Sequence, residues 1–379
     1  MTTSFVGSGV NVFYVDGESG DDSNGGTGPL AANAWKTIQK AADGISSGSN
    51  PLDGDEVRIM KTSNDSLYYR STSSINLTWS SKEVTVTGAN SSGVVDGTVV
   101  KISGASLDAS TPIATINGSG GNDSCSISCL EFDGEGVAEH GVESTSANNH
   151  HMTWANCRFT NCTTDGLFTN DLANYWNMIN CRFDNNDEVG FHHEGSQYGM
   201  LYKCLFDSNG SEGARIGGVA RVAECVFYLN GSDGLYINSM NTVVCDCVFD
   251  SNVGHGVNIP SSSTNSTSRF MNNVCSGNTG AALRVSSNNC ETNWWNTVMT
   301  DNAGGTLNDG TQSANHTILH NTTETGSVNF RSPANLDFTP TSTSNVIGAG
   351  WPTWYKEYGS TGGYVGITKW VNTESTSIF

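Results

Sequence analysis

Between Leu130 and Asn302 one short phrase recurs: CRFDNNDEVGF from Cys181, CLFDSNGSEGA from Cys204, CVFYLNGSDGL from Cys225 and CVFDSNVGHGV from Cys247. The copies start at Leu130, Cys157, Cys181, Cys204, Cys225, Cys247, Asn273 and Thr297, with Cys204 to Cys225 the shortest step and Leu130 to Cys157 the longest. A period of about two dozen residues with a variable remainder marks one supersecondary unit joined by loops of unequal length. Such a unit cannot bury an apolar face alone, so the copies must stack.

Counting each copy from its first residue as zero, position +2 holds Phe132, Phe159, Phe183, Phe206, Phe227 and Phe249, then Cys275 and Met299. The cysteines at position zero lie two residues away, on the same side of a strand, so both columns face inward. Position +5 holds Asn186, Asn209, Asn230, Asn252, Asn278 and Asn302, a residue type that tolerates left-handed turns and hydrogen-bonds from layer to layer. Position +9 is Gly166, Gly190, Gly213, Gly234 and Gly256, then Ala282. Positions +10 and +12 alternate inward as Leu167/Thr169, Phe191/His193, Ala214/Ile216, Leu235/Ile237, Val257/Ile259 and Leu283/Val285, which predicts a second strand.

Two short strands and a bend per repeat, with no helix between them, predict an all-β chain coiled as a parallel β-helix, each layer about 4.8 Å above the last. The Cys/Phe/Asn columns resemble the right-handed parallel β-helices of the pectate-lyase-like superfamily, with their asparagine ladder. The expected organisation is an N-terminal cap with a short helix over 1–46, the solenoid over 47–350 with its regular coils near 130–302, and a C-terminal tail over 351–379. In the cap, Trp35, Ile38, Ala41 and Ala42 fall at helical spacing. The segment resembles the short helix that plugs the first coil of many β-helix proteins and shields an open sheet edge. Its Asp21, Asp22 and Asn24 carry the oxygen ligands that calcium takes, or else form a solvated turn. No other cofactor or metal is expected. The phrase SVNFRSPANLDFTPTSTSNVIGAG resembles the closing coil of the same superfamily. In the tail, Trp351, Trp354, Tyr355, Tyr358, Tyr364 and Trp370 crowd together and are expected to pack on the last coil or on a neighbouring chain.

The chain has 17 Lys and Arg against 37 Asp and Glu, a formal charge of −20, which disfavours nucleic acid and anionic membranes. Its N-terminus, MTTSFVGSGVNVFYV, has no basic stretch followed by an apolar core, and no run reaches transmembrane length, so neither secretory export nor membrane insertion is expected. Cys157, Cys181, Cys204, Cys225 and Cys247 recur once per coil as small core residues, and reduced thiols are expected of them. Cys125, Cys129, Cys162 and Cys290 fall outside that column.

Outward positions carry any chemistry. Position +11 presents Phe168, His192, Arg215, Tyr236, Asn258 and Arg284 on one face, a mixture of flat rings, guanidinium and amide groups suited to glycans. In the turn before the glycine lie Asp165, Glu212 and Asp233, with Asp187, Glu188 and His255 nearby. Glu212 and Asp233 belong to adjacent coils and Asp165 lies two coils from Glu212. That spacing permits a pair of glycosidase carboxylates about 5 to 9 Å apart and equally describes a solvated acidic edge. In pectate lyases of the superfamily an arginine acts as base beside bound calcium, roles that the resemblance would give to Arg215 or Arg284. No Asp cluster stands beside either one, and the polygalacturonase signatures are absent apart from GHG at Gly254–Gly256, which the turn explains. His193 is read as a hydrogen-bonded core residue, and Asp184, Asp207 and Asp250 at +3 as a sparse solvated row.

Position +1 runs Glu131, Arg158, Arg182 and then Leu205, Val226, Val248, Val274 and Val298. This is an aliphatic stripe where solvent is expected, so something must cover it, either the aromatic tail folded back or the same face of another subunit. Trimeric phage tail spikes and fibres are β-helices that pack in this way. The features fit a virion-surface structural protein of a phage-like virus: a tail spike, tail fibre or capsid appendage. It would fold in host cytoplasm, form a homotrimer, join other virion proteins and contact surface polysaccharide. The competing reading is an extracellular polysaccharide lyase or glycoside hydrolase that uses Glu212, Asp233 and Asp165.

Overall fold

A computed structural model describes residues 10–47, 54–62 and, with short interruptions, 69–305, followed by isolated strands as far as Tyr364. Three parallel sheets form the walls. Sheet 1 has twelve strands, from Val12–Val15 to Asn315–Leu319. Sheets 2 and 3 have ten each, from Tyr69–Arg70 to Val298–Thr300 and from Ile75–Asn76 to Leu307–Asn308. Each strand pairs with its counterpart one coil further on, so the chain is a parallel β-helix. Among the described residues no helix is long and apolar enough to cross a membrane.

Each regular coil has three strands where the sequence columns predicted two. The extra ones, such as Met152–Ala155, Asn177–Ile179 and Gly199–Tyr202, belong to sheet 1 and precede the cysteine, where no phrase repeats. The cysteines therefore stand at the corner between sheets 1 and 2. That corner turns on a left-handed residue just before them: Cys129, Asn156, Asn180, Lys203, Glu224, Asp246 and Asn272 have φ between 52° and 57°. The corner from sheet 2 to sheet 3 turns at Asn161, Asn185, Ser208, Leu229, Ser251, Gly277 and Asp301. The left-handed residue is thus the one before each ladder asparagine, and the asparagine is left free for another task.

That task is a buried hydrogen-bond column. Asn186, Asn209, Asn230, Asn252 and Asn278 each donate from Nδ2 to the Oδ1 of the next, at 2.9, 2.9, 2.9 and 2.9 Å, and Asn278 to Asn302 at 2.7 Å. The second Nδ2 hydrogen goes to a phenylalanine carbonyl of the preceding coil, as from Asn230 to Phe206 at 3.1 Å. Each Oδ1 also accepts a backbone N–H from the coil before, so the amide is fully used. Cys162 begins this column, its N–H donating to Asn186 Oδ1, which explains one cysteine outside the thiol row.

The phenylalanines superpose as predicted. Ring centroids from Phe132 through Phe159, Phe183, Phe206 and Phe227 to Phe249 are 5.4, 4.9, 5.0, 4.7 and 4.8 Å apart, with planes within 8°. The glycine column has a different cause from the turn assigned to it: a Cβ on Gly190 or Gly213 would lie 2.5 or 2.7 Å from the carbonyl oxygen of the next coil's glycine. Only a bare backbone fits between layers there. The ten described cysteines are free and buried, and burial raises the thiols of Cys157, Cys204, Cys225 and Cys247.

At the N-terminal end the helix Ile38–Ser47 forms as predicted, with Thr37 Oγ1 accepting the Lys40 N–H as its cap. Ile38, Ala41 and Ala42 are buried, and Trp35 stacks on Phe13. The first strand of sheet 1, Val12–Val15, precedes this helix, so the cap segment already contributes to the wall. Past the last parallel strand, Phe330–Ser332 pairs antiparallel with Asp337–Pro340 within the segment read as the closing coil, much of which lies outside the described residues. Of the aromatic tail only Gly363–Tyr364 lies among the described residues, paired antiparallel with Ile347–Gly350.

Candidate functional site

The outward row of sheet 3 is one register column. Phe168, His192, Arg215, Tyr236, Asn258 and Arg284 pair in succession on neighbouring strands. Phe168 stacks on His140 at 5.4 Å and meets His192 edge-on at 5.0 Å, and the Arg215 guanidinium lies 5.0 Å above the Tyr236 ring. Phe168, His192, Arg215 and Tyr236 are half-buried, Arg284 is exposed and Asn258 is buried.

The acids beneath this row are buried and committed. Asp165 accepts the Val189 N–H on Oδ1 at 2.9 Å and holds His192 Nδ1 on Oδ2 at 2.9 Å. Asp233 accepts the His255 N–H at 2.7 Å and the Asn258 amide at 2.6 Å. Glu212 accepts from Arg215 Nη2 at 2.8 Å and from the Ser211 hydroxyl at 2.7 Å. His140 and His255 act likewise, each ring Nδ1 accepting the N–H of Asp165 or of Ala281 in the following coil. Asp165, Asp233, His140 and His255 thus each cap a backbone donor that the coil-to-coil ladder leaves over at this corner, while Glu212 binds side chains alone. The register brings Glu212 and Asp233 onto adjacent layers and Asp165 two layers from Glu212, as predicted, but a solvated edge they are not. His192 holds a carboxylate on each nitrogen, Asp165 at 2.9 Å and Glu194 at 3.2 Å, an arrangement that locks the ring in place. Inside, His193 Nδ1 bonds the Thr169 hydroxyl, and burial lowers its pKa to about 4.

In the cap loop, Asp22 accepts the Lys36 and Thr37 N–H groups on one oxygen and the Thr37 hydroxyl on the other. The Asn24 amide donates to the Ala31 and Ala34 carbonyls. These bonds fix the approach to the helix. Among the described residues no group of three His, Cys, Asp or Glu is placed to hold a metal ion.

Sheet 2 corrects two expectations. Leu205, Val226, Val248, Val274 and Val298 stand outside the core cluster, as their outward position requires, yet each is 0–1% exposed. They are covered within the single chain, the first of the two covers expected of the stripe, and need no second subunit to shield them. The +3 row is not solvated either: Asp184, Asp207 and Asp250 are buried. Burial raises Asp207 to about 6 against the pull of Arg182, and it raises Asp250 too.

Alternating +1 and +3 residues of the early coils form an ionic ribbon that the sequence columns did not reveal. Lys101 bridges Asp133 and Glu135. Arg158 forks onto Asp184 at 2.8 and 2.6 Å and reaches Glu131 at 3.5 Å. Arg182 bridges Asp184 at 3.2 Å and Asp207 at 3.1 Å. Burial raises Glu131 despite Arg158. In Asp133 burial is outweighed by hydrogen bonds from Lys101, Asn161 and the Glu135 N–H, and its pKa falls. The available signal was opposite charges at +1 and +3 on neighbouring coils, within reach of a diagonal pair.

A family model described as the right handed beta helix region matches residues 113–270, the stretch that carries the Phe and Asn columns. The chain is a right-handed parallel β-helix. Solved structures share this fold. Pectate lyase Pel9A is similar over 94% of this chain and 96% of its own, with TM-score 0.64 and 15% identity. The A-module of mannuronan C-5 epimerase AlgE4 from Azotobacter vinelandii is similar over 78% and 80%, at 0.55 and 13%. ORF18 of Geobacillus virus E2 is similar over 80% of this chain and 60% of its own, at 0.58 and 14%. Identities this low establish a shared fold and nothing finer. No curated protein sequence matches the chain.

Proposed function

We propose that the protein is a non-catalytic surface component of a virus particle, a rigid β-helix that touches polysaccharide along the outer face of sheet 3. The observation that carries this is the commitment of Asp165, Glu212 and Asp233. Each already accepts two hydrogen bonds from backbone or neighbouring side chains, and a general acid or base needs an oxygen facing the substrate. Above them, Phe168, Tyr236 and Arg215 offer ring surface for sugar C–H groups and donors for hydroxyls. The likeness to a viral open reading frame product supports the placement, as a likeness of fold. Assembly into trimers stays within this reading, but through a surface other than the +1 stripe.

The test has two parts. Native electrophoresis through gels containing a panel of polysaccharides should retard the protein, less so for Tyr236→Ala, while the same mixtures gain neither reducing ends nor unsaturated uronate. Cleavage that Glu212→Gln or Asp233→Asn abolishes would overturn the non-catalytic reading. Mass spectrometry of particles purified from a culture carrying the gene should find the chain in stoichiometric amount, and its absence there would overturn the virion assignment.

A further inference from the structure

We infer that the outer face of sheet 3 holds a subsite for an acidic sugar, with the Arg284 guanidinium on its carboxylate and Asn258 Oδ1 accepting a hydrogen bond from one of its hydroxyls. The inference rests on the glycan-contacting reading above and names the sugar that this face selects. Two polar atoms flank the Tyr236 ring along the column, each shut from water and without a hydrogen-bond partner: Arg215 Nε one layer before it and Asn258 Oδ1 one layer after. A buried donor or acceptor left unmade is costly, and a folded chain that keeps two beside one exposed row of rings leaves them for something to complete.

Asn258 is the better defined of the two. It is only 7% exposed, and its Nδ2 is held by Asp233 Oδ2 of the preceding coil at 2.6 Å. The two polar atoms of a planar amide point apart, so Oδ1 is turned from Asp233 toward the following coil. There the outward residue is Arg284, paired in register with Asn258. Burial lowers the pKa of His255, Asp233 opposes that shift and the Arg284 charge adds to it, which brings the guanidinium back over the coil that carries Asn258. Arg284 is exposed and enters no ion pair among the described residues, whereas Arg58, Arg158, Arg182 and Arg215 each hold a carboxylate. An anion that draws Arg284 outward uncovers Asn258 Oδ1 in the same movement.

The surrounding charges select one carboxylate at a time. Glu212 already offsets Arg215, and Asp233 lies beneath the Asn258 amide, occupied by that amide and by the His255 N–H. Arg284 is therefore the cation left over at this end of the face. A guanidinium forks onto a carboxylate, and a neutral sugar would leave that fork unused. A polymer charged on every ring would meet a chain of net charge −20 with few cations to offset it. A glycan whose carboxylates are set apart by neutral rings meets that repulsion once per contact.

Saturation-transfer difference NMR on the full chain tests this, with methyl β-D-glucuronide and methyl β-D-glucopyranoside as probes and acetate as competitor. Transfer to the glucuronide should exceed transfer to the glucoside and should survive an equal concentration of acetate. It should fall about tenfold in Arg284→Gln, the scale of one charge-assisted contact. It should fall about threefold in Asn258→Thr, whose hydroxyl can still serve Asp233 but which lacks the amide oxygen. Arg269→Gln removes an exposed cation from sheet 1 and should change nothing. Equal transfer to the two glycosides, displacement by acetate, or a glucuronide signal untouched by Arg284→Gln would overturn the inference, as would an equal loss in Arg269→Gln or no loss in Asn258→Thr. Retardation by neutral polysaccharides that depends on Tyr236 would leave the glycan-contacting reading standing while this inference fails, so the two fail separately. Matching melting curves for wild type and variants would show that the fold is retained.

Discussion

Arg158, Arg182, Leu205 and Val226 follow one another outward along sheet 2 just as Phe168, His192, Arg215 and Tyr236 do along sheet 3. Strand alternation puts both rows on the outside. The sheet 2 row is closed: its aliphatic members are fully covered, and the carboxylates beside its arginines are buried and salt-bridged. The sheet 3 row stays half open, with its acids turned beneath it to cap backbone donors. Alternation tells which side of a wall a residue occupies, while access to water depends on what the rest of the chain lays over that side. Charges that lose water must find each other, and on sheet 2 they do.

The ionic ribbon offers the largest way to break this contrast. Arg158→Ala leaves Asp184, whose side chain is 0% exposed, with one arginine fewer and leaves Glu131 with the pull of Lys101 alone. Removing one partner of a buried pair costs about 3–5 kcal/mol. Arg215 is 34% exposed, and Arg215→Ala should cost about 1 kcal/mol or less. Urea unfolding of the two variants measures both, and equal losses would mean that the faces do not differ.

A somewhat smaller effect checks the aliphatic half of the same row. Leu205→Ala should cost about 2–4 kcal/mol, as for a core leucine, with no change in mass in solution. A loss of mass with little loss of monomer stability would restore the stripe as a subunit contact.

The wall itself was readable in the sequence because the inward columns repeat one residue type. Phe206 over Phe227 and Asn209 over Asn230 satisfy the same geometry in every coil, so the letters line up. Sheet 1 was not readable, since the loops feeding its strands differ in length and its inward residues vary from Trp154 to Met178 to Leu201. The corner before the cysteine accepts Asn180, Lys203 or Glu224 at the same left-handed φ and leaves no compositional mark. For the candidate site, sequence placed the stripe and the pre-glycine acids in the right coils. It did not show that Asp165 and Asp233 were taken up as caps, because the N–H groups they bind belong to the next layer. Burial of Leu205 or Asp184 was beyond it for the same reason, cover being a long-range property of the fold.

The finest check is the size of each face's response to acid, since burial is deeper at Asp207 than at His255. On sheet 2, Asp207 has a folded pKa of about 6, above the unfolded value near 4. The folded state therefore holds the extra proton between those values, and stability falls as pH rises through that window, by about 2–3 kcal/mol in all. On sheet 3, burial lowers His255, so the unfolded state takes the proton first. Stability there falls as pH drops below the ordinary histidine range, by less, since this ring is only half-buried. Subtracting the stability profile of Asp207→Asn from that of wild type should leave a curve that declines from about pH 4 to 6. The same subtraction for His255→Gln, which keeps an acceptor for the Ala281 N–H, should leave one that rises with pH toward neutrality. Two curves of the same sign would show that burial does not set the pKa of one of the two groups, since the loss of water disfavours carboxylate and imidazolium alike.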